Sequence, residues 1–486
     1  MSKALYSIVF LLLFFSLPSM SQNKSFGFEN DFEDFRNNAG ARHKSFIDIN
    51  DSIFISFLKK SWKSVLLLPG ISTKIQKPKF QPEFKKDSIH ASFEQILVDT
   101  IPDTAINKVP DITGSQILMQ ESPTFFGALT VKKAFNFFGN EEVIDLWPTL
   151  LPHSRSVSPD GIVNFYTALT KNANYWMQNI AFLQKLKGKY RLNDWGFYQL
   201  IKTAAGSIYE ESNDQKLFIW YILLKTGYRA KLGYNDTRIY LLLATENKIY
   251  NVPYFIETGE SYYLVDHDKS KIEGLKTHEF NYPGSTKAVS LLLDAYPLLQ
   301  GDLTTRSIAY KGAEVNFEFD SKVLDFLSSY PHHQLSSYFM PGISTRNVTL
   351  LDLVLKPHMN GLEKREIIDL LLDFSQKFTS YATDQDQFGR ERYLFAEESL
   401  FYPSNDCEDR TILLASLVER YTGLKSIALD FPGHVNLAVN IPGETIGNFI
   451  NFRGERFLIC DPTYINAKSG MLAQQYKSER VKIITF

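Results

Sequence analysis

Two stretches of this 486-residue chain echo one another roughly 195 positions apart, and that echo limits the fold more than any other feature. Leu217 through Thr226-Gly227 matches Leu413 through Thr422-Gly423 at an offset of 196, and Tyr262-Tyr263-Leu264-Val265-Asp266 matches Phe457-Leu458-Ile459-Cys460-Asp461 at 195. A third echo pairs Asn136-Phe137 and Val143-Ile144-Asp145-Leu146 with Asn316-Phe317 and Val323-Leu324-Asp325-Phe326 at 180, so the second copy should carry about sixteen extra residues between the matches. A unit used twice must close its own core each time. Strand-rich sections are expected ahead of each copy, at 125–147 and 307–326, on the alternation seen in Ala313-Glu314-Val315-Asn316-Phe317-Glu318-Phe319.

The two copies differ in their chemistry. In the second, Cys407 precedes His434 by 27 residues and His434 precedes Asp461 by 27. Cysteine, histidine and aspartate in that order suit a thiol nucleophile, its base and the group that orients the base. Leu413, Leu417 and Tyr421 fall four apart, with Leu414 and Val418 beside them, predicting a helix that opens at Cys407 and closes at Gly423. A cysteine in the first turn faces unpaired N–H groups and the positive dipole end, which favour thiolate. His434 opens a strand after the turn Asp430-Phe431-Pro432-Gly433, and 457–461 reads as a second strand stopped by Pro462. Alternation places Cys460 on the face opposite Asp461, as a buried apolar residue. In the first copy Glu211, Arg238 and Asp266 take the three places; arginine stays protonated, so that site would be catalytically dead. The three are expected to cluster as a polar trio.

The segment from about 374 to 470, a fifth of the chain, resembles the bacterial transglutaminase-like family, on Asp406-Cys407-Glu408-Asp409-Arg410, Gly433-His434 and Cys460-Asp461-Pro462-Thr463-Tyr464. The resemblance implies a papain-like core, with Cys407 attacking an amide carbonyl, His434 moving the proton and Asp461 holding the imidazole. It also implies that Gln376 resembles a glutamine upstream of the cysteine, a candidate oxyanion donor beside the Cys407 N–H. Three readings stay open: a thiol hydrolase of peptide or isopeptide bonds, a cross-linking acyl transferase, and a non-enzymatic envelope binding or assembly protein using papain-like clefts.

A net charge of −2 gives no reason to expect nucleic acid as a partner. The expected partner is a polypeptide or peptide-like substrate. No cofactor is expected: phosphate-binding glycine loops are absent from the sequence, and His332-His333 lacks a spaced third ligand. Lys3, the apolar run 8–15 and Ser19-Met20-Ser21 read as a cleaved targeting signal, residues 1–21, implying export to a periplasmic or secreted location. Residues 22–68 read as an amphipathic helical segment running to the break at Pro69-Gly70, with a possible peripheral envelope contact, and 69–123 as a Pro/Lys-rich linker without chemistry. The fold class is α+β: a degenerate copy with a leading β section at 124–270, a β-rich section at 271–345, and the catalytic domain at 346–486.

Overall fold

The computed structural model describes residues 48–60, 62–72, 77–78, 81–84, 95–96, 98, 130–266 and 272–486. The targeting segment and most of the predicted amphipathic helix lie outside these residues. The chain divides into one unit ending at Ile53 and a second from Phe54 onward. Residues 48–58 are helical (α1). The helix does not continue to Pro69 as its apolar spacing predicts. Trp62–Ser64 is instead a strand, β1, because its backbone finds a partner strand at residues 276–278.

The second unit is mixed α+β and holds two curled half-barrel sheets. Its first half opens with a hairpin, β2 (Val131–Phe137) and β3 (Asn140–Leu146), followed by four helices, α2 (Pro159–Lys171), α3 (Ala173–Lys189), α4 (Asp194–Ile208) and α5 (Ser212–Lys225). The helix starts are chemically marked: Ser158 caps α2 ahead of Pro159, and the Asn193 side chain accepts from Gly196 N–H in α4. Five short strands then form, β4 (Ala230–Tyr234), β5 (Ile239–Ala244), β6 (Tyr254–Glu257), β7 (Glu260–Tyr263) and β8 (Lys276–His278). The sheet order is β1-β8-β4-β5-β7-β6.

The second half repeats the plan. A hairpin of β9 (Leu303–Tyr310) and β10 (Ala313–Asp320) leads to α6 (Ser321–Ser328), α7 (Thr345–Leu355) and α8 (Lys364–Lys377). There follow β11 (Ser380–Tyr381), α9 (Asp384–Phe388), α10 (Ala396–Phe401), β12 (Ser404–Asn405) and α11 (Cys407–Thr422). The closing strands are β13 (Ser426–Phe431), β14 (His434–Val439), β15 (Phe449–Phe452), β16 (Glu455–Cys460) and β17 (Lys482–Ile484), in the order β15-β16-β14-β13-β17. Read from β17, this is the order of β8 to β6 in the first sheet, each strand in its corresponding place.

The hairpins correct the third echo. Val143-Ile144-Asp145-Leu146 lies in strand β3, whereas Val323-Leu324-Asp325-Phe326 lies in helix α6, so the offset of 180 joins unlike elements. The structural equivalence runs through the turns. Phe138-Gly139 (φ 44° and 82°) and Lys311-Gly312 (φ 46° and 83°) both take the paired left-handed conformation that a two-residue hairpin turn needs. Their offset is 173 (311 − 138), and it superposes the inward-facing Phe135, Phe137, Ile144 and Leu146 on Ile308, Tyr310, Phe317 and Phe319, all buried. The extra residues of the second copy fall later. Three residues separate α4 from α5, but residues 378–406 intervene between α8 and α11.

The supposed linker is structured where it is described. Its described residues, with Leu68 just before it, meet the open edges of both sheets: Leu68 bridges to Tyr254 in β6, Gln95 to Phe449 in β15, and Val98 to Val481 beside β17. An unpaired sheet edge invites association with other chains, and this segment covers several such edges from within.

Candidate active site

Helix α11 is built to place Cys407 at its tip. Asp406 and Asp409 cap it reciprocally, each carboxylate accepting the other's N–H, and Gly423 ends it at φ 64°, a conformation open to glycine. Residues 410–415, 417 and 418 are all buried, so the helix is held on every side. One turn after Cys407, the Thr411 hydroxyl donates to the carbonyl of Val435 at 3.1 Å, fixing that turn against the strand that begins with His434. The two-residue turn Pro432-Gly433 pairs Phe431 with His434 across β13 and β14.

His434 Nε2 lies 2.8 Å from Asp461 Oδ2, and both side chains are buried. The other oxygen of Asp461 accepts from the N–H and hydroxyl of Thr463 at 2.9 and 2.8 Å. Burial would raise the carboxyl pKa, but His434 and Thr463 outweigh it and hold Asp461 below the usual carboxylate range. Tyr476 stacks on the imidazole with ring centroids 4.5 Å apart and planes 15° from parallel. Its own hydroxyl, pushed up to about 12 mainly by burial, feels both Asp461 and Cys407. Tyr476 thus joins the bonded His434–Asp461 pair to the helix tip that carries Cys407. Cys460 lies in the core on the opposite face of β16 from Ile459.

Gln376 is corrected. It is buried, and its amide is fully used: Nε2 donates to the carbonyls of Asp461 and Ala467 at 3.2 and 3.0 Å, and Oε1 accepts from Asn466 N–H at 3.0 Å. With both ends committed, it braces the loop that carries Asp461 and is not available to an oxyanion. Gln376→Leu should cost about 1–3 kcal/mol of stability, the penalty for stranding buried polar groups. Urea denaturation of the variant measures this, and an unchanged midpoint would remove the bracing role.

The electrostatics around the thiol also differ from the expectation. Cys407 Sγ donates to Glu408 Oε2 at 2.8 Å rather than to the imidazole. Burial, then Glu408 and Asp406, push its pKa well above the ordinary thiol value, against a smaller opposing pull from Lys77. The helix dipole does not win here, because burial and the nearby acids together outweigh the half charge at a helix end.

Lys77 comes from the stretch read as a linker without chemistry. Its Nζ lies 3.1 Å from Asp384, 3.1 Å from Glu391, 2.5 Å from Asp406 and 3.3 Å from Glu408, with its side chain 4 % exposed. Burial alone would lower its pKa, yet Asp406, Glu408 and Asp384 raise it well above the usual lysine value. Burial and mutual repulsion lift Asp384 to about 8 and Asp406 to about 7, and raise Asp409 as well. Asp406, Cys407 and Glu408, and likewise Asp384, Asp406 and Asp409, are close enough to hold a metal ion; the cation seated among these acids is the Lys77 ammonium. The signal for it in the sequence is indirect. Three acids within four residues around a buried cysteine require a cation from elsewhere.

In the first copy the expected polar trio does not assemble. Glu211 is the exposed N-cap of α5, and Arg238 lies in the exposed turn before β5, its N–H on Asn235 Oδ1. Asp266 turns to α4, bonding Tyr198 and Lys202. A four-residue turn in place of Pro432-Gly433 carries Arg238 outward, which explains the separation. His332 and His333 are buried among aromatic rings, His333 bonding Tyr338 at 2.9 Å. Comparison of the chain with protein families, with curated proteins and with solved structures finds no match.

Proposed function

We propose that the chain is an exported thiol hydrolase acting on peptide or isopeptide amide bonds, with Cys407 as nucleophile, His434 as base and Asp461 as the group that orients it. The finer reading of the fold, a papain-like, transglutaminase-like core with a degenerate copy before it, belongs to the same proposal. One observation carries it: a buried His434–Asp461 pair, locked by Thr463 and Tyr476, at the helix tip that presents a cysteine.

Because Nε2 is committed to Asp461, the nitrogen left to take the thiol proton is Nδ1. As Sγ bonds to the carbonyl carbon, the C=O electron pair moves to oxygen, facing the N-terminal N–H groups of α11. Collapse breaks the C–N bond, and His434 returns its proton to the departing amine. Water then adds to the acyl-thioester with His434 as base, and the C–S bond breaks to release the acid and the thiol.

The test is alkylation of Cys407 by iodoacetamide at pH 6, with and without His434. General-base help supports an expected fall of about a hundredfold in His434→Ala. In that variant the rate should still be climbing above pH 9, since the thiol is held above its ordinary value. Equal rates in both proteins would favour the binding-protein reading, which the bond from Cys407 to Glu408 and the burial of the thiol specifically support.

A further inference from the structure

We propose that the carboxylate cage of Asp384, Glu391, Asp406 and Glu408 is a subsite for the lysine side chain of a polypeptide substrate, which Lys77 occupies from within the same chain. This rests on the thiol-hydrolase reading and names the substrate class of that site. The cage is identified by its occupant and not by its acids alone. A primary ammonium contributed from more than three hundred residues away is already seated in it, and the ring of Tyr393 lies 5.9 Å from that Nζ.

The acids converge on one point, which suits the compact charge of an ammonium better than the planar fork of a guanidinium. Four carboxylates around one cation leave the cage net negative in any protonation state that keeps two or more ionised. The location also points to substrate. The thiol and the ammonium meet on one oxygen, Glu408 Oε2, at 2.8 and 3.3 Å, so a lysine held in the cage brings its residue next to Cys407.

The duplication supplies an independent argument. Asp384, Glu391 and Asp406 all belong to the stretch 378–406 that separates α8 from α11, and the first copy joins the matching helices through three residues. The cage therefore occurs in the copy that has the cysteine. A lysine bound here stays protonated, as Lys77 does, and cannot act as an attacking amine. The cage is a specificity contact, not an acceptor site, and this favours hydrolysis over transfer.

The experiment uses the full chain and three probes: the tripeptide Ac-Gly-Lys-Gly-NH2, its norleucine counterpart, and calcium. In the wild-type protein, acetic anhydride labelling read by mass spectrometry should leave Lys77 protected, and saturating lysine tripeptide should raise its labelling several-fold as the peptide displaces it. The norleucine peptide should not. Lys77→Met, which keeps the apolar stem, should bind the lysine peptide about tenfold or more tightly than wild type, the factor by which an internal occupant masks a site. Adding Asp406→Asn should abolish that gain. All arms are repeated in Cys407→Ala, where no turnover is needed, so loss of catalysis and loss of the subsite register separately. If Lys77→Met does not fold, the wild-type labelling still decides. Unchanged labelling, an equal response to norleucine, or displacement of Lys77 by calcium in place of the peptide would overturn the assignment.

Discussion

Cys407→Ala is expected to abolish amide turnover, while Cys460→Ala retains it. The contrast is sharp because the two thiols are the same group in different settings. Cys407 stands at the tip of α11, which Thr411 ties to the strand that begins with His434, and Cys460 faces the opposite side of β16, packed among apolar residues. Removing a triad nucleophile typically lowers turnover by about six orders of magnitude. Truncating a small buried side chain such as Cys460 costs on the order of 1 kcal/mol and leaves the chemistry in place. Hydrolysis of fluorescein-labelled casein, with thermal unfolding as a control, measures both. Lost turnover in the Cys460 variant alongside an active Cys407 variant would reverse the assignment.

The largest stability loss is expected at Arg410. Its side chain is fully buried, three residues beyond Cys407, and donates to the carbonyls of Gln376 at 2.8 Å, Thr379 at 2.8 Å and Ser375 at 3.3 Å. These carbonyls close the end of α8, where a cation is favoured. Burial pulls the guanidinium down to about 10, still charged at neutral pH, so it also offsets the acids of Asp406 and Asp409. Arg410→Met keeps the stem and removes the charge. Breaking a buried charge network of this kind costs about 3–5 kcal/mol. Guanidinium denaturation reads the change, and a midpoint within experimental error of wild type would mean that α8 and α11 do not depend on this link.

The site was legible in the sequence to the extent that local pattern determines it. Helical spacing after Cys407 and alternation around His434 and Asp461 placed all three residues, and the same alternation set Cys460 apart. What local pattern could not carry was lost. Val323-Leu324-Asp325-Phe326 suits a strand as well as a helix, so the hairpin echo aligned text while the structure aligned turns and burial, sharing little beyond Gly139 and Gly312. Gln376 stands out in the sequence, but its role as a brace depends on Ala467 and Asn466, some ninety residues away. Tyr476 and Lys77 had no local marker at all. Both act through contacts that only the tertiary fold creates.

The described residues between 62 and 98 also set an order of events in folding. Gln95 pairs with Phe449, 354 positions on (449 − 95), and Val98 with Val481, 383 positions on (481 − 98). Contacts of such sequence separation carry a large closure entropy and form late. Gln95 and Val98 are synthesised more than 350 residues ahead of the residues they pair with, so their docking surface is complete only after those have been made. Lys77 reaches its carboxylates, and Ile96 the core of the second sheet, in that same late docking step, so this core closes only as the stretch arrives.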